Sequence, residues 1–242
     1  MKDNNKTNYT NVTLLVRLRM TAFTLAETLI TLGIIGIVAA MTIPTLISNY
    51  QKKQTVTKLQ KAISVVNQAY RLAYDDVGEA TPQEAFDMST SKYFEKYWAP
   101  YLKVSLYCTS MSQCGYKENQ PYRHKNITRQ AEVYMVDTRT RTTFYTPDGF
   151  LYVIMVSGGT TPTAQSSIWV DINGASKPNV IGKDLFILRR KIDGEKGGVV
   201  VPDCYDKTDD YVNSECLNGN NFCCAEKIKR AGWKIDKSYQ WK

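Results

Sequence analysis

Phe23–Ile43 reads FTLAETLITLGIIGIVAAMTI, 21 residues with a single ionisable side chain, Glu27. At 1.5 Å rise per residue a helix of this length reaches about 30 Å, the hydrocarbon thickness of a bilayer. Such a run is read as a membrane span rather than as the buried helix of a soluble domain. A secretory signal peptide has a shorter apolar run with a small-residue cleavage site after it. Here the small residue, Ala22, precedes the run, and no clean Ala-x-Ala pattern follows.

Outward from the span, the basic residues divide almost evenly. Lys2, Lys6, Arg17 and Arg19 lie before it; Lys52, Lys53, Lys58 and Lys61 follow it. The positive-inside count is therefore close to a tie. Two other features decide the orientation. Long carboxy-terminal domains cross a membrane largely regardless of charge, and all six cysteines lie at or beyond residue 108. Read as a disulfide framework, they require an oxidising compartment. The amino terminus is expected inside and the bulk of the chain outside.

Past Pro44, apolar residues recur at Val56, Leu59, Ile63, Val66, Tyr70, Ala73 and Val77. Alternating steps of three and four make one helix face. Pro44 cannot donate a backbone N–H and is expected to kink the helix; Gly78 is a plausible stop. The seam is read as packing on its own domain rather than as an intermolecular coiled coil.

The whole chain has 242 residues, a formal charge of +8, 22% charged and 43% hydrophobic residues, and one histidine, His124. This composition is neither disordered nor fibrous. A single histidine leaves little room for His-based metal sites or a Ser-His-Asp relay. The first 22 residues account for +3, so the remainder carries +5. That modest excess argues against nucleic acid as a partner, which wants a concentrated patch.

Arg19-Met20-Thr21-Ala22-Phe23-Thr24-Leu25-Ala26-Glu27 resembles the processing site of type IV prepilins and type II secretion pseudopilins. That pattern is a basic leader, a small residue (usually Gly, here Ala22), then Phe-Thr-Leu-x-Glu opening an apolar helix. Glu27 and Pro44 stand at the family's spacings from Phe23, and the amphipathic continuation matches as well. The resemblance covers residues 16–77 well and the rest loosely. It implies that an inner-membrane prepilin peptidase cuts between Ala22 and Phe23 and methylates the Phe23 amine. It further implies that an inner-membrane assembly platform draws the subunit from the membrane into a filament of pilin or pseudopilin subunits, in the periplasm or at the cell surface. Glu27 and Pro44 are the assembly residues by this likeness, Glu27 pairing with the Phe23 amine of an adjacent subunit. Gly36 and Ala40, four apart, let neighbouring helices approach closely.

The organisation expected is a leader (1–22), a membrane helix (23–43), its amphipathic continuation (44–78) and an exported domain (79–242). Residues 91–102 suggest a short helix ended by Pro100. Residues 142–146 and 150–157 flank Pro147-Asp148-Gly149 as a hairpin, and 168–172 and 185–190 read as further strands. Three or four meandering strands with the helical seam packed on them make an α+β fold. This is also the pilin fold that the resemblance implies: a long N-terminal helix on a small antiparallel sheet, with a disulfide-stapled tail. Tyr145, Phe150, Tyr152, Ile154, Trp169, Phe186 and Leu188 are the core candidates.

Asp171, Asn173 and Asp184 cluster around an Asn-Gly pair. Calcium takes six to eight oxygens, and some family members bind it in such a loop. Only two carboxylates are in view, so a turn capped by its own side chains is the first reading and calcium the second. No cofactor is otherwise expected. Cys108 and Cys114 make the easiest disulfide. For Cys204, Cys216, Cys223 and Cys224, discarding a vicinal bond leaves two arrangements. Zinc is disfavoured, since no C-x-x-C occurs. Residues 224–233 suggest a short helix.

These features point to a structural filament subunit without enzymatic activity. A minor pilin displaying a DNA- or surface-binding domain is the alternative. A membrane-anchored enzyme is a weaker one, because no nucleophile–base set is evident.

Overall fold

The apolar spacing beyond Pro44 becomes the inner face of helix α1 (Leu25–Val77). The computed structural model describes residues 24–78, 84, 87–116, 141–156, 166–191, 198–239 and 241. The chain divides into two compact units, Met1–Ile47 and Ser48–Lys242. Helix α1 remains helical through Pro44 and contributes to both.

In the second unit, Val56, Leu59, Val66, Tyr70 and Ala73 are buried, Ile63 is half-buried, and Val77 at the helix end is exposed. Thr55, Ala62 and Ala69 are buried too, so the face is wider than the seam predicts. Small Ala side chains let the helix backbone approach what it packs on. Gly78 ends the helix: its φ is +74°, and its N–H bonds back to the Tyr74 carbonyl at 3.0 Å. The left-handed region suits glycine.

The sheet has six strands in sequential order, each antiparallel to the next: β1 (Leu106–Cys108), β2 (Arg141–Tyr145), β3 (Leu151–Val156), β4 (Ser166–Asp171), β5 (Leu185–Lys191) and β6 (Val199–Pro202). Four match the sequence expectation; the short outer strands β1 and β6 extend it. Alternation splits the strands between two faces. Phe144, Tyr152, Ile154, Ile168, Val170, Phe186 and Leu188 join α1 in the main core. Leu151, Val153, Trp169, Leu185 and Ile187 form a second core with Cys108, Cys114 and Tyr116. Of the core candidates, Tyr145 alone is only partly buried. The arrangement is α+β and pilin-like, with the long helix packed on an antiparallel sheet.

The expected helix over 91–102 divides. Helix α2 (Thr90–Tyr97), capped by Ser89, buries Tyr93, Phe94 and Tyr97; a 3-10 turn, Ala99–Tyr101, then takes in Pro100. The tail forms α3 (Asp209–Asn218) and α4 (Cys224–Arg230). Disulfides join Cys108 to Cys114, Cys204 to Cys223 and Cys216 to Cys224. The last two are one of the arrangements left open by the sequence.

Candidate functional site

From Leu25 to Ile47 the helix carries twelve large exposed apolar side chains, among them Leu25 at 78%, Ile35 at 63% and Met41 at 73% exposure. It is long and apolar enough to cross a membrane, and none of its apolar window is buried. Left in water, side chains of this kind forfeit at least about 1.5 kcal/mol each. The run therefore calls for lipid or for like helices around it.

Glu27, Thr28, Thr31 and Thr42 hydrogen-bond within the helix. The Glu27 carboxylate accepts from the Thr24 N–H at 2.8 Å and from the Thr24 hydroxyl at 2.9 Å, while the Glu27 N–H donates to Thr24 Oγ1 at 3.2 Å. This is a reciprocal capping box, the Thr-x-x-Glu spacing supplying both halves. Thr28 donates to the Leu25 carbonyl at 2.8 Å, Thr31 to that of Thr28 at 2.9 Å and Thr42 to that of Val38 at 2.9 Å. Each hydroxyl returned to the helix backbone in this way is a donor that hydrocarbon need not meet. Pro44 withholds the N–H that the Ala40 carbonyl would otherwise accept. A Cβ added at Gly33 or Gly36 would meet nothing within 4 Å, so this small-residue stretch is open. The hydrogen bonds to the Glu27 carboxylate come from an uncharged neighbour in the same chain; the counter-charge expected for Glu27, a Phe23 amine, lies outside the described residues. Ala22, Phe23 and His124 lie outside the described residues.

The acidic loop is built as a turn. The Asp171 carboxylate accepts from Tyr116 Oη at 3.0 Å and from the Asn173 N–H at 3.0 Å. The Asp184 carboxylate accepts N–H groups from Asn179 and Val180, each at 2.6 Å, and from Leu185 at 3.1 Å. Burial pushes the Asp184 carboxyl up to about 6 against the backbone N–H groups that hold it down. Tyr145 explains its partial burial here: its hydroxyl donates to the Cys114 carbonyl at 2.8 Å and accepts the Ala175 N–H at 3.1 Å, tying two loops together. A Cβ on Gly174 would stand 2.8 Å from the Tyr145 ring, and φ there is +61°. Among the described residues no three His, Cys, Asp or Glu side chains converge as a metal site.

Asn67 has a role that the sequence reading missed. Its Nδ2 donates to the Val200 carbonyl and its Oδ1 accepts the Val200 N–H, both at 2.8 Å. One amide thus answers both backbone groups on the outer edge of β6. A lone polar residue beside an apolar seam carries no pattern that would announce this.

A family of unknown function (DUF6613) matches residues 45–157, from the end of the apolar run through β3. No curated protein and no solved structure matches the chain.

Proposed function

We propose that this chain is a filament subunit, a pilin or pseudopilin of a type IV pilus or type II secretion system. One observation carries the reading: a long apolar helix with none of its apolar window buried continues into the helix of a disulfide-stapled α+β domain. Cleavage between Ala22 and Phe23 by a prepilin peptidase, with methylation of Phe23, prepares the subunit. It then rests in the inner membrane as a single-pass protein with its carboxy-terminal domain outside the cytoplasm. An assembly platform transfers the helix from lipid to a bundle of like helices. Neither side of that exchange meets water, so its apolar surface costs little to move. The role is structural, with no catalytic step.

Filament shearing tests the proposal. In cells with an active peptidase and assembly ATPase, the processed chain is expected in the sheared or extracted filament fraction, and loss of either enzyme is expected to remove it. A chain confined to membranes while the system assembles normally would contradict the proposal.

A further inference from the structure

A cleft of about 380 Å³ lies between the first turns of α1 in the second unit and the loop after β4. Gln51, Gln54 and Lys58 line one wall; Asn173, Lys177 and Lys183 line the other, with Trp241 beside them. Lys183 Nζ sits 5.2 Å from the centre of the Trp241 ring. Among the described residues none of Lys58, Lys177 and Lys183 has a carboxylate partner. The one acid lining the cleft, Asp184, is buried and turned to the N–H groups of its own loop. Three lysines therefore line the cleft with no carboxylate partner among the described residues.

Asn173 is held in place on its wall of the cleft. Asn173 Nδ2 donates to the Ser176 carbonyl at 3.0 Å and the Lys177 carbonyl at 3.3 Å, which fixes the amide plane. A fitting ligand thus offers an anionic group to the lysines. The chain limits where that ligand can come from. Gln51 follows Ile47, the last residue of the exposed apolar run, by four residues. Four residues span at most about 14 Å even when fully extended. A Lys paired with a Trp face is also the side-chain combination found at membrane interfaces.

We propose that this cleft binds the headgroup of an anionic glycerophospholipid, its phosphate held by Lys58, Lys177 and Lys183. The inference rests on the membrane-anchored reading above. Bound there, the headgroup would fix the exported domain against the leaflet from which the subunit is drawn, and extraction would require its release.

The full chain, purified in a neutral detergent, is titrated with phosphatidylglycerol carrying a fluorescent acyl chain, and separately with phosphatidylcholine bearing the same label. Anisotropy is expected to show phosphatidylglycerol binding at least ~10-fold tighter, since each lysine near an anionic surface is worth about fivefold. The triple variant K58Q/K177Q/K183Q is expected to lose that preference, whereas K52Q/K53Q, outside the cleft, keeps it. Asn173→Asp, which sets a second carboxylate in the cleft, is expected to weaken phosphatidylglycerol alone. Equal binding of the two lipids, or equal loss in K52Q/K53Q, would overturn the site. Competition by millimolar inorganic phosphate as strong as by the lipid would overturn the lipid assignment. Carbonate extraction separates the two readings: a chain washed from membranes defeats the anchor itself. One that stays embedded yet shows no lipid preference defeats only the cleft.

Discussion

Glu27 combines two demands that usually conflict, a charge and a place in an apolar helix. The Thr24 capping box lowers the cost by giving the carboxylate two donors at the helix start, where the backbone dipole also favours an anion. On the filament-subunit proposal, its charge serves assembly. Glu27→Gln keeps a hydrogen-bond acceptor for Thr24 and removes the charge, so it is expected to leave insertion and cleavage intact while lowering filament yield. Normal yield from an all-mutant population, read in the shear fraction, would remove the charge from assembly. Asp184 makes the opposite bargain. Its folded pKa of about 6 lies above the ordinary carboxylate value, so its contribution to stability is full below pH ~4 and is lost as pH rises through about 6. Thermal unfolding of the full chain between pH 4 and 7 is expected to show that decline, and Asp184→Asn to flatten it; parallel profiles would show that the carboxyl is not the titrating group. At Asn67, replacement by Leu leaves both Val200 backbone groups without their side-chain partner. It is expected to destabilise the second unit by about 2 kcal/mol and to speed amide exchange at Val200. Unchanged exchange there would show that the bidentate contact is not a stabilising one.

At the scale of elements, periodicity determined what could be read. The seam of α1 and the β2–β3 hairpin were legible because seven helical positions and a Pro-Asp-Gly turn repeat one message. Strands β1 and β6 were not, because three and four residues are too few to show alternation. Helix α3 is missed for a different reason: only Val212 and Cys216 along it are buried, so no apolar stripe marks it. Its one signal is the Thr208 cap, whose hydroxyl accepts the Tyr211 N–H, followed by Asp209 and Asp210 in the first turn. The tail is held instead by covalent and ionic staples. Arg230 bonds Glu226 and Asp209 and donates to the Lys207 carbonyl at 2.9 Å, while the disulfides Cys204–Cys223 and Cys216–Cys224 close separations of 19 and 8 residues. Loops of these sizes are worth about 2.5–3 kcal/mol each in the chain-entropy account. Replacing Cys204 and Cys223 by Ser is expected to raise amide exchange across α3 and α4 while β3 and β4 stay protected. Loss of protection throughout the sheet would instead make the tail part of one cooperative core.

For the molecule as a whole, the sequence showed the long apolar helix, the helical seam, the α+β class and the presence of a disulfide framework. The details it withheld are those set by contacts distant in sequence: Asn67 on the edge of β6, Tyr145 between two loops, and the lysines that line one cleft from α1 and from the loop after β4. No local pattern encodes such meetings. The Thr24–Glu27 pair differs, because its Thr-x-x-Glu spacing stands in plain view inside the very motif that suggests processing. That processing is the central claim, and the mature amino terminus tests it most directly. Intact mass and terminal sequencing of the chain extracted from peptidase-competent cells are expected to find a start at Phe23 bearing one added methyl group. A chain that retains Met1 in those cells, or one that begins beyond Ile43 as after signal-peptide removal, would contradict the account.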